Sequence, residues 1–510
     1  MRVGLHSTRV KSFLAVVWLS LHILVPRYNS LRIQMQATEV VKRAKAATVI
    51  GGGPAGLATS IMLARRGYTD IKVYDRLPRP PLPNDETYWS NFEEDRSYNL
   101  GLSSRGQLVL MDLDVMDRVK AYSVDCVGSR GWTPQTKGDP PVVITRGKTF
   151  PSRILQRDRL TGALLEEIES RYSDVVDVRF QQKCIGVSWK DEETCTLSIQ
   201  DIESKNVAEI DSKFVVGCDG SNSEIRNAMV KTGSSGSKLI KLKRFADKKN
   251  PLVYRTIPLY FPRTWRKDLN YSVRLKSGIN LESLPTKSGV YLGVLIFKEN
   301  DERIKTLASK EDTENFFKEY FPMYWNISAF KEEDLEKFWR KENSRFPKFS
   351  FVGPMLHKNN ACLLGDCIHS VKPFFGLGAN SAFEDVAYLN RSLALYDDHV
   401  ASALEDYSKK RGPEAKNIVE ISHRLDQGIL FFILPLILDS ILHKSFPKIF
   451  SPNTLASLNN EKKTFTQIRW RKRLDRAMQL IMGSGILLLA KKIFCSAISY
   501  FYRRALLVVV

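Results

Sequence analysis

A chain of 510 residues has room for two or three domains, or for one large α/β body with additions. Its 43% hydrophobic and 26% charged residues are the balance of a globular protein and exclude wholesale disorder. The net charge of +21 gathers at the two ends and in KLIKLKR (238–244), with no nucleic-acid motif beside it, so a membrane surface is expected and nucleic acid is not.

The cysteines are Cys126, Cys184, Cys195, Cys218, Cys362, Cys367 and Cys495. Their odd number, with no CxxC pair and no histidine cluster, argues against a disulfide framework or a structural metal site. A reducing compartment is expected for the body.

Residues 1–45 form an expected targeting or anchor segment. The apolar run FLAVVWLSLHILVP (13–26) is too short to span a bilayer comfortably, and the basic stretch after it holds one acid, Glu39. The body starts at Ala46, and GGGPAGLATSIMLARRGYTDIKVYD reads as glycine turn, helix and strand, completing a βαβ unit. A helix is expected near Asp158 to Arg171, and KFVVGCDG (213–220) is a buried strand ending in Asp-Gly. Alternating runs over 252–300 predict an antiparallel sheet. ACLLGD (361–366) reopens the α/β pattern and leads to a helix from about Asn380 to Tyr396. Beyond residue 429, GILFFILPLILDSIL is broken by Pro435 and Asp439, which predicts a surface helix rather than a span. Near the end, the apolar run from Met478 to Ala490 is interrupted by Lys491 and Lys492.

Gly51-x-Gly53-x-x-Gly56 lies after a strand and opens a helix. Gly51 permits the tight turn, Gly53 lets the backbone approach a pyrophosphate, and Gly56 allows close helix–strand packing. Asp75 closes the second strand at the distance suited to ribose hydroxyls. FAD, NAD and NADP all fit that fingerprint, so the other strand ends decide. Asp219 and Asp366 end two further strands, and a long ribityl chain gives such distant carboxylates something to hold. The helix start Gly376-x-Gly378-Ala379-Asn380 aims backbone N–H groups at a flavin edge that becomes negative on reduction. FAD is therefore the expected cofactor.

GGGPAG with Asp75, CDGSNSEIR (218–226) and GDCIHSVKPFFGLGANSAFED (365–385) together resemble the signatures of class A flavoprotein monooxygenases. Within that class, PFFGLGANSAFED, RSYNLGLSSRG (96–106) and SRILQRDRL (152–160) are most similar to the kynurenine 3-monooxygenases. The resemblance covers about residues 46–415. It implies an α/β fold of the FAD-binding Rossmann type, like glutathione reductase and p-hydroxybenzoate hydroxylase, with an interleaved antiparallel-sheet substrate domain. A C-terminal helical, membrane-associated tail would follow. The FAD-binding parts would be 46–245 and 346–425 of a body at 46–425, the substrate sheet 246–345, and the tail 426–510.

The resemblance further implies FAD contacts at Ala55, Asp75, Arg76, Gly101, Arg157, Asp366, Ala379 and Asn380, a backbone contact at Cys184, and a shared FAD and NADPH role for Asp219. NADPH or NADH would reduce the flavin, O2 would add as a C4a-hydroperoxyflavin, and an electron-rich small molecule would be hydroxylated. Pro373, Phe374 and Phe375 would wall the flavin against water. No side chain is expected to act as nucleophile or metal ligand. Localisation would be membrane-associated and organellar, with mitochondrial outer membrane, plastid and ER all open. Three departures stand out: Leu377 replaces the usual glutamine, the segment GILFFILP replaces a polar helix, and only Arg130 is available as a carboxylate clamp. A flavin-dependent epoxidase or reductase of a lipophilic substrate, and a non-catalytic membrane-bound flavin protein, stay open as alternatives.

Overall fold

The computed structural model describes residues 45–90, 99–133, 135–145, 149–232, 240–246, 250–427 and 433–506. The chain divides into units 1–43 and 44–510, of which the second is described. The expected targeting segment, apart from Lys45, lies outside the described residues, as do parts of RSYNLGLSSRG, KLIKLKR and GILFFILP.

The nucleotide-type core is built from β1 (Ala46–Ile50), α1 (Pro54–Arg65), β2 (Asp70–Tyr74), α2 (Arg157–Arg171), β3 (Val215–Gly217), β4 (Ala361–Leu363) and α3 (Gly378–Leu395). Val49, Ile71, Val73, Val215 and Val216 are fully buried, as near-continuous apolar strands covered on both faces must be. The six-stranded sheet runs His357–Lys358, β4, β3, β1, β2, Val176–Arg179, and all its pairings but the first are parallel. Chain order reverses at β1, between β3 and β2, so the carboxyl ends of these strands border one crevice. Pro54 stands in the first turn of α1, where its missing N–H costs nothing, and Leu57, Ala58 and Ile61 pack that helix on the sheet.

A seven-stranded sheet forms the second layer, in the order Ser344–Arg345, Leu252–Leu259, Tyr291–Lys298, Asn280–Pro285, Leu269–Arg274, Gly128–Trp132, Val143–Ile144. It is antiparallel except where Leu269–Arg274 pairs in parallel with Gly128–Trp132. Strand alternation sorts its two faces. Val253, Ile257, Tyr271, Val273, Leu281 and Leu295 join Phe317, Phe338 and Tyr324 from the helices over 310–340 in a separate buried cluster. The opposite face carries Tyr254, Thr256, Ser272, Glu282 and Val294, which are register neighbours.

Three long helices follow, α4 (Val400–Leu425), α5 (Ile433–Ser445) and α6 (Phe465–Leu506), with the short helix Thr454–Leu458 between the last two. The expected surface helix is α5, and it runs through Pro435. The apolar runs expected to be interrupted near the end are one continuous helix, because Lys491 and Lys492 break hydropathy but are good helix formers. At 42 residues α6 is about 63 Å long. Its first turns pack on α4, with Phe465 and Ile468 buried, whereas Leu480, Ile481, Leu487 and Leu488 stand exposed.

Candidate active site

The turn after β1 and the helix it opens have no room for side chains at two glycines. Gly51 sits at φ +108°, and a Cβ there would fall 2.3 Å from Cys218 O. A Cβ on Gly56 would lie 1.7 Å from Gly51 O, so the turn and α1 approach as only glycine allows. Gly53 faces the Arg157 guanidinium, 3.4 Å from where its Cβ would be. Arg157 opens α2 and pairs with Asp158 at 3.2 Å. Asp75, just past β2, accepts from Gly52 N–H at 2.5 Å and from Leu77 N–H at 2.7 Å, which holds its carboxylate beside the glycine turn. Arg76 follows it, exposed.

The GDC turn after β4 brings the far end of the crevice into place. Gly365, at φ +68°, lies against Ala55 and Ala382, so α1, this turn and α3 meet there. Asp366 is solvent-exposed yet surrounded by protein; the resulting desolvation raises its carboxyl above the ordinary aspartate value, opposed by the charges of His369 and Arg157. Behind it lies a buried polar cluster that the motif reading missed. Asp385 accepts from Gly365 N–H at 2.6 Å and Arg411 Nε at 2.5 Å, and pairs with His369 Nε2 at 2.9 Å. Arg411 also donates to Ser381 Oγ at 2.6 Å. Burial opposes ionisation of Asp385, but the charges of His369 and Arg411 outweigh it and hold its carboxyl below the ordinary value. The spacing of Asp385 from the strand end was visible in the sequence; its pairing with Arg411 needed the packing of α4 on α3.

No side chain caps the start of α3, which leaves its first N–H groups, at Gly378 and Ala379, for a ligand. Asn380 is tied instead to the strand Asn99–Leu102 and the start of the helix Ser104–Asp112 that follows it. Its Oδ1 accepts from Ser103 N–H at 2.8 Å and Gly106 N–H at 3.2 Å, while its Nδ2 donates to Gly101 O at 2.8 Å. Gly376, left-handed at φ +59°, packs on the same Gly101 carbonyl. Gly51, Gly53, Ala55, Asp75, Gly101, Arg157, Asp366, Gly378 and Asn380 are thus linked into one crevice. Asp219 stands at its β3 edge, accepting from Glu224 N–H at 2.7 Å and from the Cys367 thiol at 3.3 Å. Cys184 lies in the strand Gln182–Trp189, where burial pushes its thiol up to about 12. Pro373, Phe374 and Phe375 form a 3-10 turn, and Phe374 meets Phe346 edge-on at 5.0 Å, which in turn packs on Tyr254 at 4.8 Å.

Arg130 has partners of its own. It donates to Pro140 O at 2.8 Å and pairs with Asp139 at 3.1 Å. Register sets it beside Tyr271 and over Trp132, on the helix-covered face of the sheet.

The sequence family described as FAD binding domain matches residues 101–422 of this chain. The chain belongs to that FAD binding domain family. Among relatives, the kynurenine 3-monooxygenase of Flavobacterium johnsoniae is 26% identical over 380 residues, covering 74% of this chain and 78% of that one. The kynurenine 3-monooxygenase of Sus scrofa is 25% identical over 439 residues, covering 83% and 86%. Among solved structures, a single-site mutant of 2-methyl-3-hydroxypyridine-5-carboxylic acid oxygenase superposes with a TM-score of 0.57 at 18% identity, over 81% of this chain and 100% of that one. The class A monooxygenase resemblance read from the motifs holds. This FAD binding family member is an FAD-dependent oxidoreductase. The glycine cradle, the two aspartates and the uncapped start of α3 fit such a cofactor.

Proposed function

We propose that the chain hydroxylates an aromatic small molecule with FAD, a reduced nicotinamide (NADPH or NADH) and O2, and that kynurenine-type compounds are its first candidate substrates. The observation carrying this is the meeting, in one crevice, of the glycine turn under Arg157, the Asp366 turn and the uncapped start of α3. Bound FAD would supply hydride acceptance and oxygen activation; the protein supplies position and electrostatics. Asp75 would accept from the adenosine ribose, Asp366 from the ribityl chain, and Arg157 would neutralise the pyrophosphate above Gly53. The Gly378 and Ala379 N–H groups would hold the flavin's electron-rich edge. Phe374, Phe346 and Tyr254 form an aromatic wall that would keep water from the reacting face.

The test is anaerobic mixing of the purified yellow protein with NADPH or NADH, with and without kynurenine, a phenol and an apolar polyene, while flavin bleaching is followed. Bleaching accelerated by an aromatic compound, with oxygenated product once O2 is admitted, is the expected result. Flavin that neither nicotinamide bleaches refutes the reading.

The tail supports a membrane-attached enzyme. Helix α5 is inside out: Asp439 is fully buried, while Leu434, Ile437 and Ile441 on the same helix are about half exposed. Asp439 binds α6 through Lys472 at 3.0 Å, Arg476 at 2.9 Å and Gln479 at 3.0 Å. Among the described residues α6 is the one helix long and apolar enough to cross a bilayer. Apolar side chains outward and charges inward suit a lipid surface. An organellar membrane is the proposed location, tested by flotation with vesicles and by fractionation of tagged full-length chain.

A further inference from the structure

We infer that the crevice-facing side of the seven-stranded sheet recognises a cationic amine on the substrate, and that Glu282 receives it. This rests on the hydroxylase reading above and names the chemistry its substrate carries. Two contacts bring this sheet to the flavin crevice, and the first fixes which face borders it. At one side Phe374, from the turn before α3, packs on Phe346 and through it on Tyr254. At the other, Asn99 Nδ2, two residues before Gly101, donates to Leu284 O at 3.5 Å. Register puts Tyr254, Thr256, Ser272, Glu282 and Val294 on this same face, and Glu282 is two residues, about 7 Å, along the strand from Leu284.

The wall is rich in unmet acceptors. Because Asn99 Nδ2 must face a carbonyl, its Oδ1 points elsewhere, and that buried oxygen has no partner among the described residues. Asn270 Nδ2 faces Glu282 Oε2 at 3.4 Å, which leaves the Asn270 Oδ1 buried and, among the described residues, unpaired as well. The Glu282 carboxylate itself has only long contacts, to Asn270 and to Arg274 Nη2 at 3.4 Å, and the Arg274 side chain is 63% exposed. The Glu282 side chain is 27% exposed, and the protein around it still desolvates its carboxyl enough to raise it above the ordinary value. An ammonium brings three donors and a positive charge, which is what this set of groups lacks. A substrate carboxylate would meet the wrong sign here, and Arg130 faces the other side of the sheet.

The test titrates the FAD-loaded protein with paired probes and follows the perturbation of the flavin absorbance. The pairs are kynurenine against its analogue lacking the α-amino group, and 2-phenylethylamine against 2-phenylethanol. The parent is expected to bind the amine of at least one pair tenfold or more tightly, Glu282→Gln to lose that preference to within about threefold, and Glu282→Asp to keep part of it. Unchanged flavin loading and melting temperature in Glu282→Gln serve as the folding control. No amine preference in the parent, or the same preference in Glu282→Gln, overturns the inference. Flavin bleaching by nicotinamide without any probe does not pass through Glu282, so failure of the hydroxylase reading shows in that assay and failure of this inference in the titration.

Discussion

Replacing Asp385 by Asn isolates the device that presents Asp366. Asp385 is the shared acceptor of Gly365 N–H, Arg411 and His369, all fully buried or nearly so. An asparagine of the same shape has one acceptor oxygen, so its amide N–H must face the Gly365 N–H or the Arg411 guanidinium, donor against donor. Removing one partner of a buried ion pair costs about 3–5 kcal/mol, because Arg411 keeps its charge with only Glu384, at 3.5 Å, still opposed to it. That is a fifth or more of the ~5–15 kcal/mol that holds a typical domain folded. A melting temperature lower by roughly 10 °C and loss of most bound FAD on gel filtration are expected. The pH dependence has a definite sign. The folded carboxyl lies below its unfolded value, so its stabilisation is present above that unfolded value of about 3.9 and is lost only as pH falls through the lower, folded one. The gap between parent and variant should therefore be full at neutral pH and close only in strong acid. An Asp385→Asn protein that keeps its FAD and melts within about 2 °C of the parent would refute this account.

Asp366→Ala should weaken FAD about ten- to a hundredfold without a comparable fall in melting temperature of the FAD-free chain, the cost of one charge-assisted hydrogen bond; unchanged flavin retention on dialysis would refute the assignment. Since desolvation raises the Asp366 carboxyl, its ionised, hydroxyl-accepting form is lost as pH falls, so FAD should dissociate more at pH 5 than at pH 8 in the parent and show a flatter pH dependence in Asp366→Asn. Gly56→Val places side-chain atoms where even a Cβ stands 1.7 Å from Gly51 O, and should abolish FAD binding as measured by absorbance of the purified protein. Truncation after Gln479 should release the protein from membranes with FAD still bound, because the Asp439 contacts to Lys472, Arg476 and Gln479 remain; continued pelleting of a chain also lacking residues 1–45 would show that the anchor lies elsewhere.

The crevice was legible because its parts are local. A glycine turn, a strand-ending aspartate and a helix start each act within a few residues, so short motifs carry them. What required non-local pairing was not legible. Arg130 reads as a spare cation in VDCVGSRGWTP, and only the parallel pairing with Leu269–Arg274, some 140 residues later, sets it on the face away from the crevice. Glu282, in the alternating stretch NLESLP, is indistinguishable in sequence from any solvated strand residue; pairing with its two neighbouring strands decides which way it faces. Asp439 looked like an interruption of an apolar helix and is its inward anchor, because the partner charges lie on α6, 33 and 37 residues on.

The tail and the flavin loop are mechanically one piece, which bears on how the enzyme would sit at a membrane. Arg105, in the first turn of the helix Ser104–Asp112 that Asn380 ties beside Gly101, directs its guanidinium to Leu458 O at 3.2 Å, Asn460 O at 2.5 Å and Lys463 O at 2.6 Å, and pairs with Glu384 at 2.8 Å. Glu414 of α4 accepts from Phe465 N–H at 2.6 Å and so caps the start of α6. These are buried contacts, where a missing partner costs more than a surface contact gains. The root of the tail is therefore part of the flavin-binding body, and the free apolar helix begins only beyond Gln479. A cut at Phe465 removes the cap, exposes Arg105 and loosens the loop at Gly101, so loss of FAD in that truncation would report damage to the crevice. Loss of FAD from a chain cut after Gln479, with every one of these bonds intact, would instead show that the lipid-facing helix itself supports the flavin site.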